Sequence, residues 1–259
     1  MRKEYDFYFS DTHFGHNKEW FYKDLRGFSS VEEMNETLIE NFNKKASKNS
    51  NILCLGDAFI TTEEKAREIF SRLKGNFDLI DGNHDRYKNH LNWIKDLFND
   101  VKRNHTLNID SHKINLHHYP YVDKKIHDIA LKAPNILKAP KSNIPCASMH
   151  ISDDYFEAVR KDPMLHFEFL TKYYDKNFYT NKGIRIRKFL LQLIRRYITP
   201  RLVNDENILM HGHTHSFNKI RENMINLSVE AWDFNLASNE EIKDCVKKIR
   251  KDYYYDEIV

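Results

Sequence analysis

The sequence has little that would staple or anchor it. Its three cysteines, Cys54, Cys146 and Cys245, lie far apart with no Cys-x-x-Cys pair. That argues against a disulfide framework or a thiolate zinc site and points to a reducing compartment. No apolar run approaches the ~20 residues that a helix needs to cross a bilayer. Residues 1–6 lead into a strand-like segment without the apolar stretch of a secretory signal, so a soluble, cytoplasmic protein with no membrane partner is expected. Neither sign of charge dominates: 41 Lys and Arg against 38 Asp and Glu leave a net +3, which does not announce a nucleic-acid binder. Internal repeats and low-complexity tracts are missing as well.

Apolar material is sufficient. With 41% hydrophobic and 13% aromatic residues, the chain can fill a sizeable core and is not of the disordered class. Its 259 residues suit one large domain or two small ones. An aromatic run at residues 5–9 reads as a first strand, and it enters the polar loop Ser10-Asp11-Thr12-His13-Phe14-Gly15-His16. Ser30 and Glu33 have capping-box spacing, followed by Met34, Leu38, Ile39 and Phe42 at helical spacing. A second strand, residues 51–55, ends in Gly56-Asp57, and Thr61 with Glu64 suggests another capped helix reaching Leu73. A third strand, residues 77–80, ends in Asp81-Gly82-Asn83-His84-Asp85.

Strand, polar loop and helix thus recur three times, which implies an α/β sheet with its functional edge at the strand ends. A helix over about 87–98 follows, then strands over 101–109 and 112–117 joined by a hairpin at Asp110-Ser111. The second of these closes in His117-His118-Tyr119-Pro120. From about 121 to 205 the rhythm breaks. Pro134, Pro140, Pro145 and Pro163 punctuate it, and no acidic residue occurs between Lys182 and Asn204. This stretch reads as a mostly helical insertion or cap within a single domain spanning 1–259. Strands resume at residues 207–210, before His211-Gly212-His213-Thr214-His215, and at 224–229; a terminal helix is expected over 239–251.

Five strand ends therefore carry candidate ligands: Asp11 with His13, Asp57, Asn83 with His84, His118, and His213 with His215. Imidazoles mixed with carboxylates suit Mn²⁺, Fe or Zn²⁺ better than Mg²⁺ or Ca²⁺. The set is too large for one ion. Two ions roughly 3.5–4 Å apart, sharing a carboxylate, could clamp a phosphate and generate hydroxide from bound water.

The order Asp11-Thr12-His13, Gly56-Asp57, Gly82-Asn83-His84-Asp85, His118 and Gly212-His213-Thr214-His215 resembles the calcineurin-like metallophosphoesterase superfamily. All five blocks occur in order, on both sides of the insertion, which the resemblance leaves unexplained. It implies a four-layer α/β/β/α fold, a two-sheet mixed β-sandwich flanked by helices. It also implies two divalent ions as cofactors, manganese foremost. Asp11, His13 and His215 would hold one ion and Asn83, His118 and His213 the other, with Asp57 bridging both. His84 would act as general acid, oriented by Asp85. The choice of His118 over His117 rests on this resemblance, because neighbours in a strand point to opposite faces.

Other residues are less specific. His16 and Arg86 are tentative substrate contacts, weighed against solvent exposure and an ordinary helix-start arginine. His211 could reach the site, His150 is expected at the surface, and Trp232 and Phe234 as packing residues. The basic run 182–201 either solvates a packed helix or attracts a polyanion. The function implied is hydrolysis of a phosphate ester, with a diester such as a nucleotide, cyclic nucleotide or nucleic acid favoured, because an acid helps most with a poor alkoxide leaving group. The alternatives are a phosphomonoesterase, a protein phosphatase, a nuclease guided by the basic helix, or a non-catalytic module on this fold. No protein partner is indicated.

Overall fold

Two sheets arise from short aromatic and β-branched runs, each stopped by a polar turn. The computed structural model describes residues 4–86, 90–122, 124, 127 and 201–254. The chain divides into two units, Met1–Tyr121 with Asp205–Val259, and Val122–Asn204. The expected helices of the insertion, its basic run up to residue 200, Cys146 and His150 lie outside the described residues.

In the first unit, β1 (Phe7–Phe9), β2 (Asn51–Cys54), β3 (Asn76–Ile80) and β4 (Val101–Lys102) run parallel, in that order, with β10 (Ala237–Ser238) antiparallel beside β1. The second sheet has the order β5 (Asn104–Ile109), β6 (His112–His117), β7 (Ile208–His211), β9 (Met224–Asn226) and β8 (Ile220–Arg221). Within it β6, β7 and β9 are mutually parallel, while β5 and β8 are antiparallel to their neighbours. The molecule is thus α/β with two mixed five-stranded sheets. Among the described residues, no helix is long and apolar enough to cross a membrane.

Period-two alternation divides the core into two clusters. Tyr8, Leu53 and Ile80 of the first sheet join Leu116, Met210 and Ile225 of the second and Ile242, Val246 and Ile249 of the terminal helix α4 (Asn239–Tyr254) in one buried cluster. Phe9, Ile52, Cys54, Phe77 and Leu79 share the other cluster with helices α1 (Val31–Lys45) and α2 (Glu63–Ser71). Their contributions include Met34, Leu38 and Phe42 from α1 and Ala66 and Ile69 from α2. Full burial of a Leu, Ile or Phe side chain stabilises by roughly 1.5–3 kcal/mol.

Several expectations shift in detail. The Ser30 side chain caps α1 by accepting from Glu33 N–H, but the Glu33 carboxylate turns to Ser29 instead of closing the box. The cap of α2 is Thr62, which accepts from Lys65 N–H, not Thr61. Where a helix over 87–98 was expected, α3 covers Leu91–Ile94 among the described residues. The single strand expected over 101–109 is two strands in two sheets: Leu79 and Ile80 pair with Val101 and Lys102, whereas Asn104 pairs with His117. Lys102, Arg103 and Asn104 are all exposed at the crossover, and the pairing partners reveal the change of sheet. The strand expected over 224–229 stops at Asn226, because Ser228 bridges to Ser10 and Val229–Trp232 coil into a 3-10 turn. The hairpin at Asp110-Ser111 forms with both residues at positive φ, 46° and 67°.

Candidate metal centre

Parallel strands put their carboxyl ends on one edge of each sheet, and the candidate ligands all follow such ends. Asp11 follows β1, Asp57 follows β2, Asn83 follows β3, His118 follows β6 and His213 follows β7. Backbone bonds extend each edge and join the two: Asp11 N–H donates to Gly56 O (2.9 Å) within the first, Gly212 N–H to His118 O (3.0 Å) within the second, and Val229 N–H to Ser10 O (3.1 Å) between them. Asp11, His13, Asp57, His213 and His215 all have positive φ, between 48° and 71°. Left-handed backbone costs a non-glycine residue roughly 1–2 kcal/mol and collects at functional sites. Here it folds the loops so that side chains from different strands converge.

Two glycines make room for the acids. A Cβ at Gly82 would collide with Asp57 Oδ1 and the Asp57 backbone nitrogen, and one at Gly212 would collide with Asp11 Oδ2 and Ser10 Oγ. Each carboxylate thus lies directly on a glycine backbone that no other residue could supply.

Both acids are anchored through one oxygen and present the other. Asp11 Oδ2 accepts from His213 N–H (2.8 Å) and Ser228 Oγ–H (3.0 Å). Asp11 Oδ1 lies 3.7 Å from His13 Nε2 and 3.8 Å from His215 Nε2. Asp57 Oδ1 accepts from His84 N–H (2.8 Å). Its Oδ2 lies 3.3 Å from His118 Nε2, 3.6 Å from His13 Nε2 and 3.9 Å from His84 Nε2. The ligand atoms of Asp11, His13 and His215 are all within 4.8 Å of one another, and so are those of Asp57, His118 and His213. Asn83 Oδ1 adjoins the second cluster, 3.3 Å from His118 Nε2. These two acid–histidine groups could hold metal ions. Their fit to cations has a direct sign: among the described residues, Asp11 Oδ1 and both His13 ring nitrogens are buried without a hydrogen-bond partner, an arrangement costly unless something else satisfies them.

The electrostatics agree with such a use. Burial drives His13 down to about 4, with Asp11 and Asp57 only partly opposing it, so it is neutral near pH 7 and one ring nitrogen keeps a lone pair. Burial would also lower His118, but Asp57 overrides it and lifts that histidine to about 10. Asp11, which burial alone would raise, is held well below the usual carboxylate range by His13, His118 and His215.

The other candidates fall around this centre. His84 is partly exposed at its rim. Asp85 is fully enclosed, and both of its oxygens are taken by backbone N–H groups, of Asp57 (2.8 Å) and Gly82 (2.8 Å) on one and of Ala58 (3.2 Å) on the other. Asp85 thus clasps two loops together, and His84 is tied by its own N–H to Asp57. His16 stacks on His13 at 5.5 Å between centroids and packs on Phe21 at 4.2 Å. Arg86 Nε is engaged by the buried carboxylate of Asp81. His117 is buried and bonded to Tyr119 N–H (3.1 Å). His211 is buried with Nδ1 2.8 Å from Gly212 O. Trp232 is a core residue whose Nε1–H donates to Asn226 O (2.8 Å), and Phe234 packs on Phe28.

Two contributors escaped the sequence reading. Glu230 Oε1 lies 2.8 Å from His215 Nδ1 and pairs with Arg26 at 2.8 Å, with both side chains fully buried. A lone acid inside the apolar run Leu227 to Trp232 was the available signal for Glu230. Arg26 carried none, since the carboxylate it pairs with lies 204 residues away in sequence.

No family model matches the chain. The uncharacterized protein MJ1445 of Methanocaldococcus jannaschii is 34% identical over 157 residues, which cover 55% of this chain and 88% of that protein. Among solved structures, the protein of unknown function AQ665 from Aquifex aeolicus aligns over 92% of this chain and 97% of its own, with 20% identity and a TM-score of 0.48. A conserved uncharacterized protein from Streptococcus pneumoniae TIGR4, described as a predicted phosphoesterase, aligns over 88% of this chain and 72% of its own, with 10% identity and a TM-score of 0.29.

Proposed function

The chain belongs to the same family as the Methanocaldococcus jannaschii protein, and we propose that it is a di-metal phosphoesterase of the four-layer calcineurin-like kind. The reading is carried by one observation: Asp57 Oδ2 lies within 3.6 Å of His13 in one acid–histidine cluster and 3.3 Å of His118 in the other. A carboxylate so placed suits a shared ligand between two neighbouring cations. Asp11, His13 and His215 would hold one ion, and Asn83, His118 and His213 the other. When bound, two divalent ions, manganese foremost, would supply Lewis acidity toward phosphoryl oxygens and lower the pKa of water between them.

The protein's own part is to position and to move a proton. His84 stands at the rim, partly exposed, with Nε2 3.9 Å from Asp57 Oδ2, so it can reach the leaving oxygen of an ester lying over the clusters and donate a proton to it. His16, stacked on His13, would be a further contact for a phosphate oxygen or leaving group. Such an acid contributes most with a poor alkoxide leaving group, which favours a phosphodiester, such as a nucleotide, cyclic nucleotide or nucleic acid, over a monoester.

The test is Mn²⁺-dependent hydrolysis of paired chromogenic phosphate mono- and diesters, with Asp57→Asn as control. Diester turnover that the substitution abolishes is expected. Monoester turnover alone would overturn the substrate assignment, and the absence of both turnover and bound metal would overturn the enzyme reading.

A further inference from the structure

A buried relay connects the first cluster to two charged residues outside the ligand set. His215 Nδ1 is 2.8 Å from Glu230 Oε1. The same oxygen accepts from Arg26 Nε at 2.9 Å and pairs with Arg26 Nη2 at 2.8 Å. Arg26 also donates from Nη1 to Thr12 O (2.8 Å) and from Nη2 to Asp11 O (2.5 Å). Its guanidinium lies 4.3 Å from the Phe21 ring centroid, and that ring packs on His13 at 4.9 Å.

Each link has a chemical consequence. An ionised carboxylate only accepts hydrogen bonds, so Glu230 requires the proton of His215 to sit on Nδ1. The lone pair is then left on Nε2, the nitrogen that faces Asp11 Oδ1 at 3.8 Å. Arg26 compensates a carboxylate that would otherwise be buried unpaired, a situation that is strongly destabilising. Its bonds to the Asp11 and Thr12 carbonyls grip the loop in which Asp11 and His13 have φ of 58° and 48°. One guanidinium–carboxylate pair therefore reaches all three residues of the first cluster. The second cluster is built differently. His118 Nδ1 is bonded to a neutral backbone carbonyl, Leu55 O, at 2.7 Å, and carboxylate partners raise the basicity of a ligating histidine.

We infer that Arg26 and Glu230 are positioning residues that make the two metal positions unequal, the Asp11–His13–His215 position being the tighter. The inference rests on the di-metal reading above. A carboxamide at position 230 could donate to Nδ1, move the proton to Nε2 and remove the lone pair from the cluster. A carboxylate on a shorter arm could not.

The experiment is calorimetric titration of the metal-free full chain with Mn²⁺, comparing wild type, Glu230→Gln and Glu230→Asp, with His215→Ala and His118→Ala to assign each ion. Wild type should bind two ions with separated affinities, the tighter lost in His215→Ala. Glu230→Gln should weaken that ion about 10- to 100-fold and leave the weaker one unchanged, while Glu230→Asp retains more of the affinity. The unchanged second ion reports that the fold is intact. Two ions weakened equally, or not at all, by Glu230→Gln would overturn the inference and leave the di-metal reading standing. No ion bound by wild type would remove that reading as well. Should the variant not fold, the zinc-loaded wild type decides the matter by long-range ¹H–¹⁵N correlation. A His215 Nδ1 proton resonating further downfield than that of His118, as a charge-assisted bond requires, supports the inference, and one resonating at the same place or upfield overturns it.

Discussion

Metal binding should expel a proton from His118, so affinity should climb with pH. In the ion-free protein this imidazole is buried, and burial alone would lower its pKa. Asp57, 3.3 Å away, outweighs burial, and with Asp11 and the Leu55 carbonyl it lifts His118 to about 10. A ligating histidine must offer a lone pair, so near neutrality the ion displaces that proton. One displaced proton is worth tenfold in affinity per pH unit, about 1.4 kcal/mol. From pH 7 to pH 9 the ion at the second cluster should therefore gain about a hundredfold. His13, held at about 4 mainly by burial, is already neutral and adds nothing to the slope. Calorimetry with Mn²⁺ in buffers of unlike ionisation enthalpy counts the protons directly. Asp57→Asn removes the strongest lifting charge, burial then prevails, and the His118 proton release at pH 7 should vanish. Affinity that does not change from pH 7 to pH 9, or heats that do not depend on buffer, would refute the reasoning. The stability of the ion-free protein should move the other way. The folded pKa lies above the unfolded value of about 6.5, so the His118–Asp57 pair stabilises fully below pH 6.5. That contribution is lost as pH rises toward 10, at up to about 1.4 kcal/mol per pH unit, and urea unfolding at pH 6.5 and 9 measures it.

His84→Gln should lower kcat on a diester by about 10²–10⁴-fold, the usual contribution of a positioned acid, while calorimetry still finds two ions. Undiminished kcat would reject the acid role. Gly82→Ala would drive a methyl group into Asp57 Oδ1 and to 2.7 Å from the Asp57 nitrogen. We expect about 1–3 kcal/mol of lost stability, as for overpacked cores, together with weaker binding at the second cluster. A urea midpoint and ion affinity equal to wild type would show that the close approach is unimportant.

What could be read from the linear chain was whatever depends on short-range pattern. Helix α1 was legible because Met34, Leu38, Ile39 and Phe42 recur at one face and Ser30 satisfies a free N–H at its start. The strand ends were legible because glycine and polar residues stop each apolar run, and the candidate ligands Asp11, His13, Asp57, Asn83, His118, His213 and His215 sit at those stops. Spacing in sequence could say nothing of distance in space. The crossover at Arg103 was invisible because residues 102–106 are all polar, so no periodicity marks where one strand ends and the next begins. That three backbone N–H groups from two loops converge on the oxygens of Asp85 was likewise beyond the linear chain. Arg26 and Glu230, 204 residues apart, meet only when β1 and the segment after β9 are joined through Ser10 and Val229. Residue type and local periodicity thus determined which groups could ligate and roughly where each strand ends. Tertiary structure alone decided which oxygen is anchored and which is presented, because hydrogen bonds to buried carboxylates come from whichever backbone the fold brings within 3 Å.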